Sequence, residues 1–190
     1  MQPDLHTYIF AMWLALGVLW LGGAATAKKK DRVESTASRT AHIAVMAVAF
    51  ALLFKPEMGF GPLGARFIPE GPPAAYTGLA LTIAGVLLAA FARLCLGGNW
   101  SAVVAIKSDH QLVRSGPYAL VRHPIYTGLL LGMLGTAIAF GEWRCLVGLF
   151  LAIAAFRQKA RLEEQFLVQQ FGSEYERYRT SVKALIPFIL

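Results

Sequence analysis

Residues 122–164 read RHPIYTGLLLGMLGTAIAFGEWRCLVGLFLAIAAFRQKARLEE. Two apolar runs, Ile125 to Phe140 and Cys145 to Phe156, are separated only by Gly141-Glu142-Trp143-Arg144. So short a link between two helices makes an antiparallel hairpin. Counting from Glu142, His123 lies 19 residues back and Glu163 lies 21 residues forward. At 1.5 Å per residue each stands about 30 Å from the turn. The polar ends, Arg122-His123-Pro124-x-Tyr126 and Arg157…Glu163-Glu164, are therefore expected at one depth and facing one another. Gly128, Gly132 and Gly135 recur at near-helical spacing and are expected to let these two helices approach closely, as small residues do in membranes.

Composition agrees with membrane-spanning helices. Of 190 residues 56% are apolar and 15% charged, with a mean hydropathy of +0.53. A soluble domain carries about 25% charged residues, and disorder needs the opposite bias. One crossing takes about 20 residues, so four or five fit and little remains for a separate soluble domain. The net charge of +7 does not point to nucleic acid, because the basic residues form no aromatic-interleaved patch and gather where apolar runs end. Cys95 and Cys145 both sit in apolar runs and read as small packing residues rather than a bridge or metal pair.

Working towards the N-terminus, Tyr76 to Leu96 spans comfortably, and a Gly/Pro-rich connection from Pro56 to Pro73 precludes a regular helix. Ala41 to Phe54 is short, about 21 Å, and is expected to use Arg39 and Lys55 as snorkelling ends. His6 to Ala27 is long enough to cross. Ala25-Thr26-Ala27 resembles a signal cleavage site, but no Lys or Arg precedes the run and Lys28, Lys29, Lys30 and Arg32 follow it, the charge placement of an anchored helix. With five crossings, fifteen Lys and Arg fall on one side and three, Lys55, Arg66 and Arg144, on the other. That asymmetry predicts the N-terminus outside and the tail in the cytoplasm. After Phe171-Gly172, Ser173 and Glu176 read as a capping box opening a short amphipathic helix on which Tyr175, Tyr178 and Val182 share a face. The expected fold is all-α and integral to the membrane: five transmembrane helices, a C-terminal helical hairpin at 122–164 and a cytoplasmic amphipathic helix. Residues 1–92 form the N-terminal transmembrane helices and 93–190 the catalytic half.

Helix-end anchoring accounts for the arginines but not for Glu163-Glu164, because carboxylates do not serve as anchors beside an anionic leaflet. Ionisable groups clustered at one membrane depth mark a site. Ser115-Gly116-Pro117-Tyr118 is a turn that returns the chain to the fourth helix and brings residues 110–113 over the same corner. Asn99-Trp100-Ser101 fits the glycosylation pattern but falls on the cytoplasmic side, so it reads as a packed turn. The sequence has no metal-ligand spacing, nucleophile elbow or phosphate-binding glycine loop.

The runs Arg93-Leu94-Cys95-Leu96-Gly97-Gly98-Asn99-Trp100-Ser101, His110-Gln111-Leu112-Val113-Arg114-Ser115-Gly116-Pro117-Tyr118 and Arg122-His123-Pro124-Ile125-Tyr126-Thr127-Gly128 occur in that order. Glu163-Glu164, Phe171-Gly172-Ser173-Glu174-Tyr175-x-x-Tyr178 and Leu185-Ile186-Pro187 follow. Together they resemble the isoprenylcysteine carboxyl methyltransferase family, within a superfamily that includes phospholipid amine methyltransferases. The resemblance implies S-adenosylmethionine as methyl donor, with S-adenosylhomocysteine as product. It implies cofactor contacts at His110, Gln111, Leu112, Val113, Tyr118, His123, Pro124, Tyr126, Glu163 and Glu164. It also implies that Arg93 and Arg157 face the carboxylate of a prenyl-cysteine. The family's acidic cluster can begin where this chain has Arg161, which leaves open which glutamate meets the cofactor. Expected partners are a lipophilic or prenyl-cysteine substrate and membrane lipids, without nucleic acid or metal. The alternatives are a phospholipid-amine or small-thiol methyltransferase, which would need a base, and a small transporter or scaffold, which would need a charged residue mid-membrane. The runs contain no such residue.

Overall fold

The computed structural model describes residues 5–24, 32–100, 104–106 and 111–186. Among them the regular structure is helical apart from one pair of two-residue strands and two isolated bridges, Arg66 with Glu142 and Val121 with Lys183. The order is α1 (Leu5–Ala24), β1 (Arg32–Val33), α2 (Thr36–Phe54), α3 (Pro72–Leu96), β2 (Ala105–Ile106), α4 (Pro124–Phe140), α5 (Trp143–Phe171) and α6 (Ser173–Ser181). β1 and β2 are antiparallel, with Arg32 opposite Ile106 and Val33 opposite Ala105. Among the described residues three stretches, Leu5–Gly22, Thr36–Phe54 and Pro72–Asn99, are long and apolar enough to cross a membrane, and Pro124–Phe140 is a shorter apolar helix.

α2 begins five residues before the predicted Ala41. The Ser35 side chain accepts from Ser38 N at 3.2 Å and satisfies one of the amides that a helix start leaves open. Polar residues 36–40 therefore continue the helix, and α2 has 19 residues rather than a short run with snorkelling ends. α6 differs in the opposite sense. Gly172, at φ 53°, stands at its N-cap with no side-chain cap, and Glu176 pairs with Arg179 at 2.9 Å instead of closing a box with Ser173.

The glycine stripe of α4 faces α3, not α5 as the sequence suggests. A Cβ at Gly128 would lie 2.5 Å from Ala89 N, and one at Gly78 2.5 Å from Ala139 N. Backbone thus meets backbone along this seam, and no side chain fits between. Trp13 of α1 closes over it: its indole donates to Thr136 Oγ1 at 3.0 Å, and Thr136 and Thr82 each donate to a backbone carbonyl at 2.9 Å. These bonds match the indole N–H and both threonine hydroxyls, each of which would cost several kcal/mol if left unpaired in hydrocarbon. α2 lies along α5. At the far end of that pair Arg144, 2% exposed, donates to the last carbonyls of α2, Leu52 O at 2.6 Å and Leu53 O at 2.8 Å, and to Glu142 at 2.6 Å. Arg144 is therefore a buried cap on α2 and not a loop charge.

Candidate functional site

Pro124 opens α4 at the first helical position, where its missing N–H costs nothing, and His123 precedes it as N-cap. Here the start of α4 meets the second half of α5. His123 Nε2 lies 3.1 Å from Glu164 Oε1, and Nδ1 lies 3.4 Å from Glu163 Oε2. Arg122 donates through Nε and Nη2 to Glu164 Oε1 at 2.9 and 2.7 Å. The Tyr126 hydroxyl donates to Glu163 Oε1 at 2.5 Å. His123, Tyr126 and Phe156 stack in turn, with ring centroids 5.5 and 4.8 Å apart, which fixes the imidazole plane.

Burial opposes charge on His123, but hydrogen bonds and charges from Glu163 and Glu164 prevail and hold its pKa above the ordinary value of 6.5. Burial likewise opposes charge on the two glutamates. The His123 hydrogen bond prevails at both, aided by Tyr126 at Glu163 and Arg122 at Glu164, and both fall below 4.5. Below the raised His123 pKa the cluster pairs two carboxylates with an imidazolium and a guanidinium, and the charges cancel.

The C-terminal tail ties itself to this cluster through backbone. Arg122 N donates to Lys183 O at 2.8 Å and His123 N to Ala184 O at 3.0 Å. Thr127 Oγ1 donates to Leu185 O at 2.6 Å. Arg122 Nη1 donates to Arg179 O at 3.1 Å and to Val182 O. The Tyr178 hydroxyl donates to Tyr118 O at 2.5 Å, and the Tyr118 hydroxyl to Ala92 O at 3.3 Å. Burial pushes Tyr178 up to about 12 and raises Tyr118 and Tyr175 further, so all three stay neutral.

Above the cluster is a cavity of about 360 Å³. Of the residues expected from sequence, Gln111, Leu112, Val113, Tyr118, His123, Tyr126 and Glu163 line it. Pro124 and Glu164 stand behind that wall, and Glu164 grips Arg122 and His123. Arg93 is also set back: its guanidinium lies 4.1 Å from the centroid of Trp100, which does line the cavity, and Nη1 donates to Gly97 O at 3.2 Å. His110 lies outside the described residues.

Arg157 is exposed and absent from the lining. α5 presents Phe156, Lys159 and Glu163 to the cavity, and at about 100° per residue Arg157 turns away from that face. Sequence reasoning misses Lys159, although stepping back four residues from Glu163 finds it. Trp20 of α1 and His42 of α2 also line the cavity. Neither carries a sequence signal, because each reaches the site only through helix packing.

The profile of the isoprenylcysteine carboxyl methyltransferase (ICMT) family matches residues 78–169. Over 108 residues the chain is 39% identical to protein-S-isoprenylcysteine O-methyltransferase of Schizosaccharomyces pombe, covering 55% of this chain and 46% of that protein. It is 38% identical over 116 residues to the Homo sapiens protein of the same name, covering 60% and 41%. It is 34% identical over 117 residues to a probable one of Oryza sativa subsp. indica, covering 60% and 61%. The chain thus spans about half the length of the curated relatives it matches. The solved structure of a eukaryotic intramembrane Ras methyltransferase, ICMT, shares the fold, with a TM-score of 0.63 at 24% identity, over all of this chain and 70% of that one. The chain is a multi-pass integral membrane protein, and its resemblance to the isoprenylcysteine carboxyl methyltransferase family, read first from its motifs, extends through residues 78–169 and to the fold.

Proposed function

We propose that the protein is an S-adenosylmethionine-dependent methyltransferase acting at the membrane boundary on the α-carboxylate of a prenylated cysteine or a similar lipophilic carboxylate. The observation that carries this reading is the mixed wall of one cavity. Glu163, Tyr118 and Tyr126 lie in the same lining as Trp20, Leu129 and Phe156. That donor set fits the cofactor. A carboxylate accepts from ribose hydroxyls or an ammonium, and aromatic faces attract a sulfonium. Gln111, Leu112, Val113, Tyr118, Tyr126 and Glu163 would hold it, and His123, Pro124 and Glu164 would fix the wall. When bound, S-adenosylmethionine supplies an electrophilic methyl group: a carboxylate lone pair forms the O–CH3 bond as the S–CH3 bond breaks, leaving a methyl ester and S-adenosylhomocysteine.

A carboxylate acceptor is ionised at neutral pH and needs a cation to align it, not a base. We assign the aligning charge to Lys159 on the cavity face of α5, in place of Arg157, with Arg93 bracing Trp100. An amine or thiol acceptor would need a base from His123, Glu164 or Tyr126, and each of these is already bonded within the cluster. That bonding favours the carboxylate reading.

The test is single-turnover methyl transfer to a soluble farnesyl-cysteine analogue at saturating cofactor, paired with equilibrium binding of S-adenosylhomocysteine to detergent-purified protein. The rate should be nearly flat from about pH 6 to 9, since a carboxylate titrates near 4 and a thiol near 8.5. A rate that climbs tenfold per pH unit would instead establish a deprotonating nucleophile.

The architecture belongs to the same proposal. The α4–α5 hairpin makes the fourth and fifth crossings, residues 93–190 form the catalytic half, and the cavity opens on the cytoplasmic side with the N-terminus outside. The mixed wall then admits a lipid tail sideways and a water-soluble cofactor from below.

A further inference from the structure

Among the described residues four tyrosines line the cavity, Tyr118, Tyr126, Tyr175 and Tyr178. Three of them commit their hydroxyl hydrogen to a protein acceptor: Tyr118 to Ala92 O, Tyr126 to Glu163 and Tyr178 to Tyr118 O. Tyr175 does not. Its side chain is 1% exposed, and its hydroxyl has no hydrogen-bond partner among the described residues. Burial raises its pKa and keeps the hydroxyl protonated, able both to donate and to accept. A buried polar group without a partner destabilises the fold, and phenylalanine would fill the same space without that cost. The hydroxyl is therefore matched to a partner from outside the chain.

Its surroundings indicate the chemistry of that partner. α6 lies against the segment that leads into α4, because the Tyr178 hydroxyl reaches Tyr118 O and Arg122 Nη1 reaches Arg179 O. Leu129, more than one turn into α4, and Phe156, two turns before Glu163 on α5, mark the opposite, apolar end of the lining. Phe166 and Leu167 continue the lining along α5 beyond Glu163, towards α6. The rings of Tyr175 and Tyr178 meet edge to face, with centroids 6.0 Å apart. Phe166, Leu167, Tyr175 and Tyr178 thus bring to the cavity aromatic and apolar surface, one unmatched hydroxyl and no charge. The zwitterionic amino-acid end of the methyl donor needs counter-charges when it leaves water. Its purine is flat and uncharged, offers faces that stack on aromatic side chains and carries ring nitrogens that accept hydrogen bonds. We propose that Tyr175 is a cofactor-binding residue whose hydroxyl donates to the adenine ring of S-adenosylmethionine, which makes α6 the purine-recognising wall of the cavity. This inference rests on the methyltransferase reading and adds to it a residue beyond 78–169, the segment that the family profile matches.

The experiment measures equilibrium binding of three probes to the detergent-purified parent and to Tyr175→Phe, by displacement of labelled S-adenosylhomocysteine. The probes are S-adenosylhomocysteine itself, 5′-methylthioadenosine, which lacks the amino-acid end, and S-ribosylhomocysteine, which lacks the purine. Tyr175→Phe should weaken the first two by the same factor, about fivefold to tenfold, the worth of one uncharged hydrogen bond. S-ribosylhomocysteine should bind the two proteins within about twofold of each other. Without ligand the variant should melt at or above the temperature of the parent, since it keeps the ring and removes an unpaired hydroxyl. Unchanged affinity for S-adenosylhomocysteine in the folded variant would overturn the assignment. So would a loss that extends to S-ribosylhomocysteine, which would put the hydroxyl on the ribose or the amino-acid end. A Phe variant that melts well below the parent, or does not fold, would mean that the hydroxyl is bonded within the protein and would overturn it too. A parent that binds none of the three probes overturns the S-adenosylmethionine reading, and this inference with it.

Discussion

Glu163 and Glu164 are neighbours in sequence with different work. Glu163 faces the cavity, while Glu164 sits behind the wall and receives both Arg122 and His123. Glu163→Gln should therefore weaken S-adenosylhomocysteine binding by about 1–3 kcal/mol with little loss of thermal stability. Glu164→Gln should chiefly lower the melting temperature, because it leaves Arg122 and His123 without their shared anion. Isothermal titration and thermal melts of the two variants in one detergent check the division; matching effects would dissolve it. The pH dependence follows from the same groups. The raised His123 pKa contributes stability that is complete below its unfolded value of about 6.5 and is lost as pH rises through the folded value. The lowered glutamates contribute above about 4.5 and lose it as pH falls through their folded values. The melting-temperature gap between the parent and His123→Asn should thus be widest between about pH 4.5 and 6.5 and narrow on the alkaline side. A gap constant to pH 10 would mean that the imidazole is neutral throughout. Of these residues the histidine and the acidic pair are legible in sequence, because hairpin arithmetic brings them together. Lys159 is not, because Arg157 has the more suggestive chemistry and only the helix phase decides between them.

At the scale of elements, the α3–α4 seam is where the sequence misleads. Glycine spacing announces a close helix contact but carries no information about the partner, and the hairpin partner α5 is the natural choice. The complementary small residues, Gly78, Thr82, Gly85 and Ala89, lie on α3. A Cβ at Gly85 would meet Gly128 O at 2.5 Å, so Gly85→Ala must push the α3 and α4 backbones apart. Overpacking of this kind costs about 1–3 kcal/mol. Gly17→Ala on α1, with nothing within 4 Å of the added methyl, should be neutral or slightly stabilising. Melting temperatures of the two purified variants give the comparison, and equal stability would show that the seam is looser than described. The α2 start escapes a hydropathy reading for a related reason: hydropathy finds where a helix becomes apolar, and Ser35 decides where it begins.

For the whole molecule, crossing number and orientation rest on the asymmetry of Lys and Arg. In a background lacking Cys95 and Cys145, cysteine at Ser173 and at Glu70, both exposed, should react with an impermeant maleimide from opposite sides of the membrane, Glu70→Cys from outside. Labelling from one side alone would remove the five-crossing arrangement. The cavity itself is less legible than the helices around it, since Trp20, His42 and Tyr175 come from elements far apart in sequence and meet only after the bundle is packed. The tail adds a constraint of timing. Arg122, His123 and Thr127 take their backbone partners from residues 179–185, among the last made in the stretch described. On the ribosome, helices α1 to α5 are synthesised before the cavity has its final wall. A nascent chain halted short of that point lacks the tail that ties down Arg122, His123 and Thr127, so under the proposed function cofactor binding should begin only once synthesis has passed Leu185.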